Sequence, residues 1–394
     1  MLVYERKTYW LMILCATGII LLGLASDGII PSLQGFFTLQ THAARLINDY
    51  TAIGGVGPAL FNAGLMGFLT LILVKLSGVS LSGPTVAAFF TIMGFSLFGK
   101  TPFNTAPIVL GVFLASRVAG KPFKNYLLTG IPALGLGMFC GILAGFLLPS
   151  LAIAMLRMHE GFHLYNIGLT CGFVGLFAAA IIVGAQRDMT IQIIWNTQPH
   201  VGLILLTPVI SLLFILWGAM MDGASLGKNL VSIMKLSGRL PTDFMMSVSP
   251  GAALVNAGLL GLASTAYVLL INAPLNGPVI GGLFTVIGFA TFGKHPKNCW
   301  PIALGVVMAT LLYGKSLHAP GSVLAFLFAT TLAPLSGEFG PLMGIAAGFV
   351  HLSLVERSAA WHGGLDLYNN GFAGGLTATL FVTTIQWFKG TRNT

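Results

Sequence analysis

A stretch of 21 residues occurs twice in this chain, 194 residues apart. Thr91-Ile-Met-Gly-Phe-Ser-Leu-Phe-Gly-Lys-Thr-Pro-Phe-Asn-Thr-Ala-Pro-Ile-Val-Leu-Gly111 returns as Thr285-Val-Ile-Gly-Phe-Ala-Thr-Phe-Gly-Lys-His-Pro-Lys-Asn-Cys-Trp-Pro-Ile-Ala-Leu-Gly305. Twelve positions are identical, among them every Gly, every Pro, one Lys and one Asn. Duplicated apolar segments interrupted at matching places are the mark of a membrane protein built from two repeats, with a solute site near the bilayer midplane. Composition agrees. Only 7% of the 394 residues are charged, against roughly 25% in soluble domains, while 56% are hydrophobic and 51 are Gly. Too little polar surface is left to solvate soluble domains.

The net charge of +9 does not point to nucleic acid, because no basic stripe is interleaved with aromatic residues. The basic residues fall in short polar gaps, as cytoplasmic loops of membrane proteins require. Cys15, Cys140, Cys171 and Cys299 lie in apolar runs without metal-ligand spacing and read as small hydrophobes. The run from Tyr9 to Ser26 follows Arg6 and Lys7 and is long enough to span a bilayer, so a retained first helix is expected rather than a signal peptide.

Two further blocks recur in order. Asn62-Ala-Gly-Leu-Met-Gly67 matches Asn256-Ala-Gly-Leu-Leu-Gly261, and His159-Glu-Gly-Phe-His-Leu-Tyr-Asn-Ile-Gly168 matches His362-Gly-Gly-Leu-Asp-Leu-Tyr-Asn-Asn-Gly371. The last pair has offset 203, so the halves differ by nine residues somewhere between Gly120 and Gly141. The expected division is an N-terminal membrane helix and amphipathic segment (1–49), a first repeat (50–184), a connecting span and polar loop (185–243), a second repeat (244–387) and a short basic tail (388–394).

Pro84 to Gly99 and Pro278 to Gly293 are too short to cross: about 15 residues of helix reach roughly 23 Å, against a hydrocarbon core of ~30 Å. Half-membrane or re-entrant helices are expected there, buried in protein or lining a cavity. Arg117, Lys121 and Lys124 follow the first Pro block, with Arg45 alone before Asn62. In the second half Lys228, Lys235 and Arg239 come before Asn256 and Lys315 follows the Pro block. Basic loops on one side of the membrane then make the repeats inverted. The fold class read from these features is all-α and polytopic, with roughly ten to twelve crossings, two inverted repeats and broken helices.

The candidate pathway residues follow from the repeats. Asn62, Asn166, Asn256 and Asn369 each precede x-Gly; an amide can cap a helix that starts inside the membrane, or offer a donor and an acceptor to a neutral solute. Pro102, Asn104, Thr105 and Pro107, matched by Pro296, Asn298, Cys299 and Pro301, free backbone carbonyls that can line a polar path or merely kink a helix. Lys100 and Lys294 mark a membrane boundary or attract an anion. His159 and His362, with Glu160 or Asp366 nearby and Tyr165 and Tyr368 in register, form a proton relay or sit in a water-exposed loop with an interfacial Tyr. Glu338 has Gly135 as its counterpart and is a candidate for a coupling-ion carboxylate. Metalloprotease, nucleophile-elbow and phosphate-loop motifs do not occur, so neither enzyme, metal nor cofactor is indicated.

Pro102-Phe-Asn-Thr-Ala-Pro107 resembles the Pro-x-x-Thr-x-Pro core of the urea transporters, and Pro296-Lys-Asn-Cys-Trp-Pro301 is similar with Cys299 in place of Thr. Leu164-Tyr-Asn-Ile-Gly168 looks like that family's Gly-rich Tyr-Asn segments. Nearly the whole chain is also similar to two-repeat bacterial membrane proteins grouped only as a domain of unknown function. The resemblance to urea transporters implies inverted repeats around a pore for a small polar, urea-like solute. It also implies a multi-pass protein of the bacterial cytoplasmic membrane, surrounded by lipid, with one path per protomer of a homo-oligomer, a trimer by analogy. A proton-coupled carrier of a small anion is the alternative within transport. An intramembrane enzyme or a scaffold is the alternative outside it.

Overall fold

The computed structural model describes residues 3–42, 45–129, 137–187, 189 and 191–391; Gly135 and the end of the basic tail lie outside the described residues. Apart from isolated bridges, such as that between Asn48 and Ile194, the regular structure among them is helical. In the first half the helices are α1 (Val3–Asp27), α2 (Ile29–Thr41), α3 (Tyr50–Ile53), α4 (Val56–Leu76), α5 (Gly83–Phe95), α6 (Pro102–Val118), α7 (Gly137–His159) and α8 (Asn166–Gly184). Then follow α9 (Val201–Asp222), α10 (Leu226–Ile233), α11 (Phe244–Ser247), α12 (Pro250–Leu270), α13 (Gly277–Phe289) and α14 (Pro296–Leu312). The chain closes with α15 (Pro320–Ala329), α16 (Ala333–Phe339), α17 (Pro341–Trp361) and α18 (Asn369–Thr391). Seven described helical segments are long and apolar enough to cross a membrane. Large apolar side chains such as Leu76, Phe139, Ile181, Met220, Leu270 and Leu342 are exposed around the outside, where hydrocarbon would solvate them. This is an all-α, multi-pass membrane fold.

The two halves repeat the same packing: α1 lies along α4 as α9 lies along α12, and the pairs α6–α7 and α14–α17 correspond. Asp27 at the end of α1 accepts the Gly57 N–H at 2.7 Å, and Asp222 at the end of α9 accepts from the Ser249 hydroxyl. α1 with α4, and α9 with α12, are therefore antiparallel pairs, each tied where the first helix ends and the second begins.

The short apolar runs become half-length helices. α5 and α13 have 13 residues each, roughly 20 Å of helix. The Ser82–Thr85 capping box and Pro84 start α5; Asn276, whose side chain accepts the Val279 N–H, and Pro278 start α13. Both stop in mid-structure, and α6 and α14 then restart from a capping box, Thr101 with Asn104 and His295 with Asn298, each with Pro at the first turn.

Two reciprocal contacts fix the relation of the halves. Asp243, just before α12, accepts the Gly83 N–H at the start of α5 (3.1 Å). Asp49, just before α4, accepts the Gly277 N–H at the start of α13 (3.3 Å). Since α5 starts where α4 ends, the beginning of α12 is level with the end of α4, and the converse holds for α13. The repeats run in opposite directions. The face holding the end of α4 also holds the end of α6, where Phe113 and Phe123 meet Leu73 and Val74. Lys75, Lys121, Lys124, Lys228 and Lys235 gather there, whereas Lys315, paired with Glu356, belongs to the other face.

Close approach at the repeat interface depends on Gly. A Cβ on Gly94 would lie 2.9 Å from the Gly281 Cα where α5 crosses α13, and one on Gly168 would lie 2.9 Å from the Gly371 Cα where α8 crosses α18. The longer second repeat has α15 and α16 at the place in the order where the first has two short turns, Phe123–Asn125 and Leu127–Thr129.

Candidate functional site

The centre of the molecule is the crossing of α5 with α13 and of α8 with α18. A cavity of about 140 Å³ lies there, lined in matched pairs by Thr91 and Thr285, Phe95 and Phe289, Tyr165 and Tyr368. The first turns of α8 and α18 also border it, through Asn166 to Gly168 and through Asn370 and Gly371. A second cavity of about 240 Å³ shares Thr91, Phe289 and Tyr368 with it and extends past Lys100 towards Pro84 and Leu240.

The two repeated lysines flank this centre, and both are buried. The Lys294 ammonium donates to the Tyr165 hydroxyl and to Thr330 Oγ1 (2.8 Å), and lies 4.6 Å from the Tyr165 ring centroid. The Lys100 ammonium lies 5.2 Å from the Tyr368 ring centroid and 5.9 Å from that of Phe95. Among the described residues neither lysine pairs with a carboxylate; the ion pairs are Arg239–Glu160 and Lys315–Glu356, both near a surface. Each amine is thus held by the faces of aromatic rings, and that of Lys294 by two hydroxyls as well, rather than by an opposite charge.

The asparagines serve the broken helices. The Asn62 amide donates to the carbonyls of Ser96 and Lys100, both at 2.7 Å, and the Asn256 amide to those of Ala290 and Lys294, both at 2.8 Å. These carbonyls sit at the ends of the half-helices, where the intrahelical ladder stops and water is scarce. Asn104 and Asn298 close the restarts: each side-chain oxygen accepts the N–H of the capping residue, and each amide donates to the carbonyl of Gly99 or Gly293. Asn166 and Asn369 accept from His159 and His362 Nε2, at 2.9 Å in each repeat, and donate back to Ala152 and Val355 carbonyls. Both histidines are buried, with Nε2–H fixed as the donor.

The Pro blocks face outward from the centre. Pro107 meets the position of Gly141 on α7, and Pro301 that of Gly344 on α17. Pro102 and Thr105 line a separate apolar cavity beneath Phe113, while Pro296 is exposed. Thr105 Oγ1 and Cys299 Sγ each turn to the oxygen of the preceding Asn. Glu338 is exposed at the end of α16, away from the cavity lining. The structure therefore brings Lys100, Lys294, Tyr165, Tyr368 and Asn166 to one place, and holds the Pro blocks and Glu338 apart from it.

The family described as "Protein of unknown function (DUF1576)" matches this chain over residues 30–183 and 223–387, most of its length. The chain belongs to this family. Its two matched segments correspond to α2–α8 and to α10–α18, one on each repeat, and both leave out the equivalent outer helices α1 and α9. No curated protein and no solved structure matches the chain.

Sequence reasoning passes over two buried groups beside this centre, His163 and His351, and reads Asp366 only as a neighbour of His362 in the proton relay. His163 and Asp366 occupy the same position of the Leu-Tyr-Asn block, but differ in type, so a search for identities does not flag them. His351 has Leu148 as its counterpart and carries no repeat signal at all.

Proposed function

We propose that this protein passes a small anion along the interface of its two repeats, with Lys100 and Lys294 compensating the charge in transit. One observation carries the reading: two repeat-related lysine amines are buried at the repeat interface without a carboxylate partner among the described residues, Lys100 lining one of the two adjoining cavities and Lys294 held on Tyr165, which lines the other. Burying a charge unpaired costs several kcal/mol even after relaxation, and an entering anion supplies the missing partner. The first turns of α8 and α18 border the cavity that Tyr165 and Tyr368 line and add the positive ends of two helices. The pathway belongs to a multi-pass protein of the bacterial cytoplasmic membrane, with the lysine-rich face inside. A homo-oligomer with one path per protomer, a trimer by the urea-transporter resemblance, extends the same reading.

A urea-like neutral solute keeps one specific support. Asn62 Oδ1 and Asn256 Oδ1 are buried without a partner among the described residues, open to amide N–H groups. Yet the amide nitrogens of Asn62, Asn256, Asn104 and Asn298 are committed to backbone carbonyls, which leaves few donors for such a solute. Flux into proteoliposomes, with nitrate, chloride and urea at matched protein insertion, separates the two. The anion reading expects Lys100→Gln and Lys294→Gln to abolish anion flux, with urea not carried. Urea flux that survives both Lys variants and falls in Asn104→Leu and Asn298→Leu would overturn it.

A further inference from the structure

His163 and Asp366 stand at equivalent positions of the two repeats, each followed by Leu-Tyr-Asn. Both are fully buried, and each has side-chain atoms without a partner among the described residues: both ring nitrogens of His163 and Oδ2 of Asp366. The other carboxylate oxygen of Asp366 accepts the Tyr368 N–H at 2.9 Å, which fixes its orientation at the start of α18. Buried polar atoms are normally satisfied, so orphaned atoms at both symmetry-related positions call for a reason. Each residue also reaches across to the other repeat. A Cβ on Gly374 of α18 would lie 2.9 Å from His163 Nε2, and one on Gly175 of α8 would lie 3.5 Å from the Asp366 Cβ. The residue equivalent to Gly374 in α8 is Cys171, which is within electrostatic reach of both Asp366 and Lys100. The smaller Gly thus accompanies the larger His ring, and the larger Cys the smaller carboxylate.

We propose that His163 and Asp366 are the proton-exchanging residues of the pathway, one from each repeat, so that the anion crosses together with a proton. This rests on the anion reading above and assigns the groups that make it a coupled process. His163 is faced by His159 from α7, His351 from α17 and Lys294 from the break before α14, with the Tyr165 ring 6.0 Å away. Asp366 is faced by Cys171, Lys100 beyond it, and His362, whose Nδ1 accepts the Asp366 N–H. His159 and His362 are tied to Asn166 and Asn369 through Nε2 and hold the loops in place. His351 Nε2 is likewise engaged by Asn370. His163 alone of these histidines has both nitrogens open. An anion beside Lys294 stabilises the imidazolium over the neutral ring, and negative charge brought near Asp366 favours its carboxylic acid over the carboxylate. In each case one N–H or O–H bond forms as a proton is taken from water and breaks as it is returned. No other bond changes, and one proton accompanies one negative charge.

Proton uptake on anion addition tests this in the purified, lightly buffered full-length protein, read with a pH indicator, using sodium nitrate and sodium chloride as probes. The wild type is expected to take up protons as either probe binds. His163→Gln and Asp366→Asn should each lower the uptake, and the two together should abolish it, while His351→Gln leaves it unchanged. Binding without uptake, uptake that survives the double variant, or loss confined to His351→Gln would overturn the proposal while leaving the anion path standing. If neither probe binds or crosses, the anion reading itself falls and takes the proposal with it. Should the double variant fail to elute like the wild type, His163→Asp keeps an exchangeable proton at the position in less space. A folded His163→Asp variant without uptake counts against the proposal; retained uptake supports it.

Discussion

Replacing Asn62 by Leu removes two hydrogen bonds of 2.7 Å and leaves the Ser96 and Lys100 carbonyls without their donor inside the bundle. Interhelical hydrogen bonds in membranes contribute about 0.6 kcal/mol on average and at most about 1.7, so two of them contribute roughly 1–3 kcal/mol. One compensation enters with the opposite sign. Asn62 Oδ1 is already buried and unpartnered among the described residues, and Leu removes that orphan while filling a similar volume. The expected loss is therefore about 1–2 kcal/mol rather than the upper figure. Asn256→Leu should cost the same within experimental error, because its two bonds, both 2.8 Å, meet the same kind of carbonyls. Asn62→Asp is a sharper probe. It keeps the shape but turns an oxygen towards two carbonyl oxygens, and should be worse than Leu. Reversible unfolding in mixed micelles, followed by Trp fluorescence, would measure all three. Stability of both Leu variants within about 0.3 kcal/mol of wild type, or Asp milder than Leu, would refute the assignment of these amides as caps of the half-helices.

Two further outcomes follow from the packing. Single cysteines at Lys121 and Lys235, in a background lacking the native ones, should react with an impermeant reagent from one side of the membrane, and a cysteine at Lys315 from the other; labelling of all three from one side would contradict the inverted repeats. Gly168→Leu should force α8 from α18, since even a Cβ there lies 2.9 Å from the Gly371 Cα; overpacking of this kind costs typically about 1–3 kcal/mol, and an unaltered melting profile in detergent would show that the helices do not meet there.

What could be read from the sequence, and what could not, divides along a physical line. Asn62 and Asn256, or Thr101-Pro102 and His295-Pro296, do the same backbone job in both halves, and the demand of a broken helix for caps is identical in each. Identity between the repeats therefore finds them, and Gly83-Pro84 with Gly277-Pro278 gives the half-helices their starts. The same identity draws attention to Pro107 and Pro301, which pack against α7 and α17 and lie away from the central cavity. At the centre itself the two repeats meet each other rather than repeat each other. His163 beside Gly374, and Asp366 beside Cys171, are pairs across the interface, so each can change in type provided its partner changes in size. The outer helices α1 and α9 share their place against α4 and α12 with little shared sequence, because lipid-facing surfaces accept almost any apolar residue.

The exchange of caps between Asp49 and Gly277, and between Asp243 and Gly83, bears on how the chain is made. A polypeptide inserted from its N-terminus presents Asp49 long before α13 is synthesised, so the second half-helix meets its acceptor on arrival. For α5 the order is reversed: its first N–H waits for a residue 160 positions further on. The early half of the protein thus spends part of its biosynthesis with a re-entrant helix whose outer end depends on a segment still to come. Two separately expressed halves would each lack one carboxylate that the other supplies, and co-expression would be the condition under which either finds its final form.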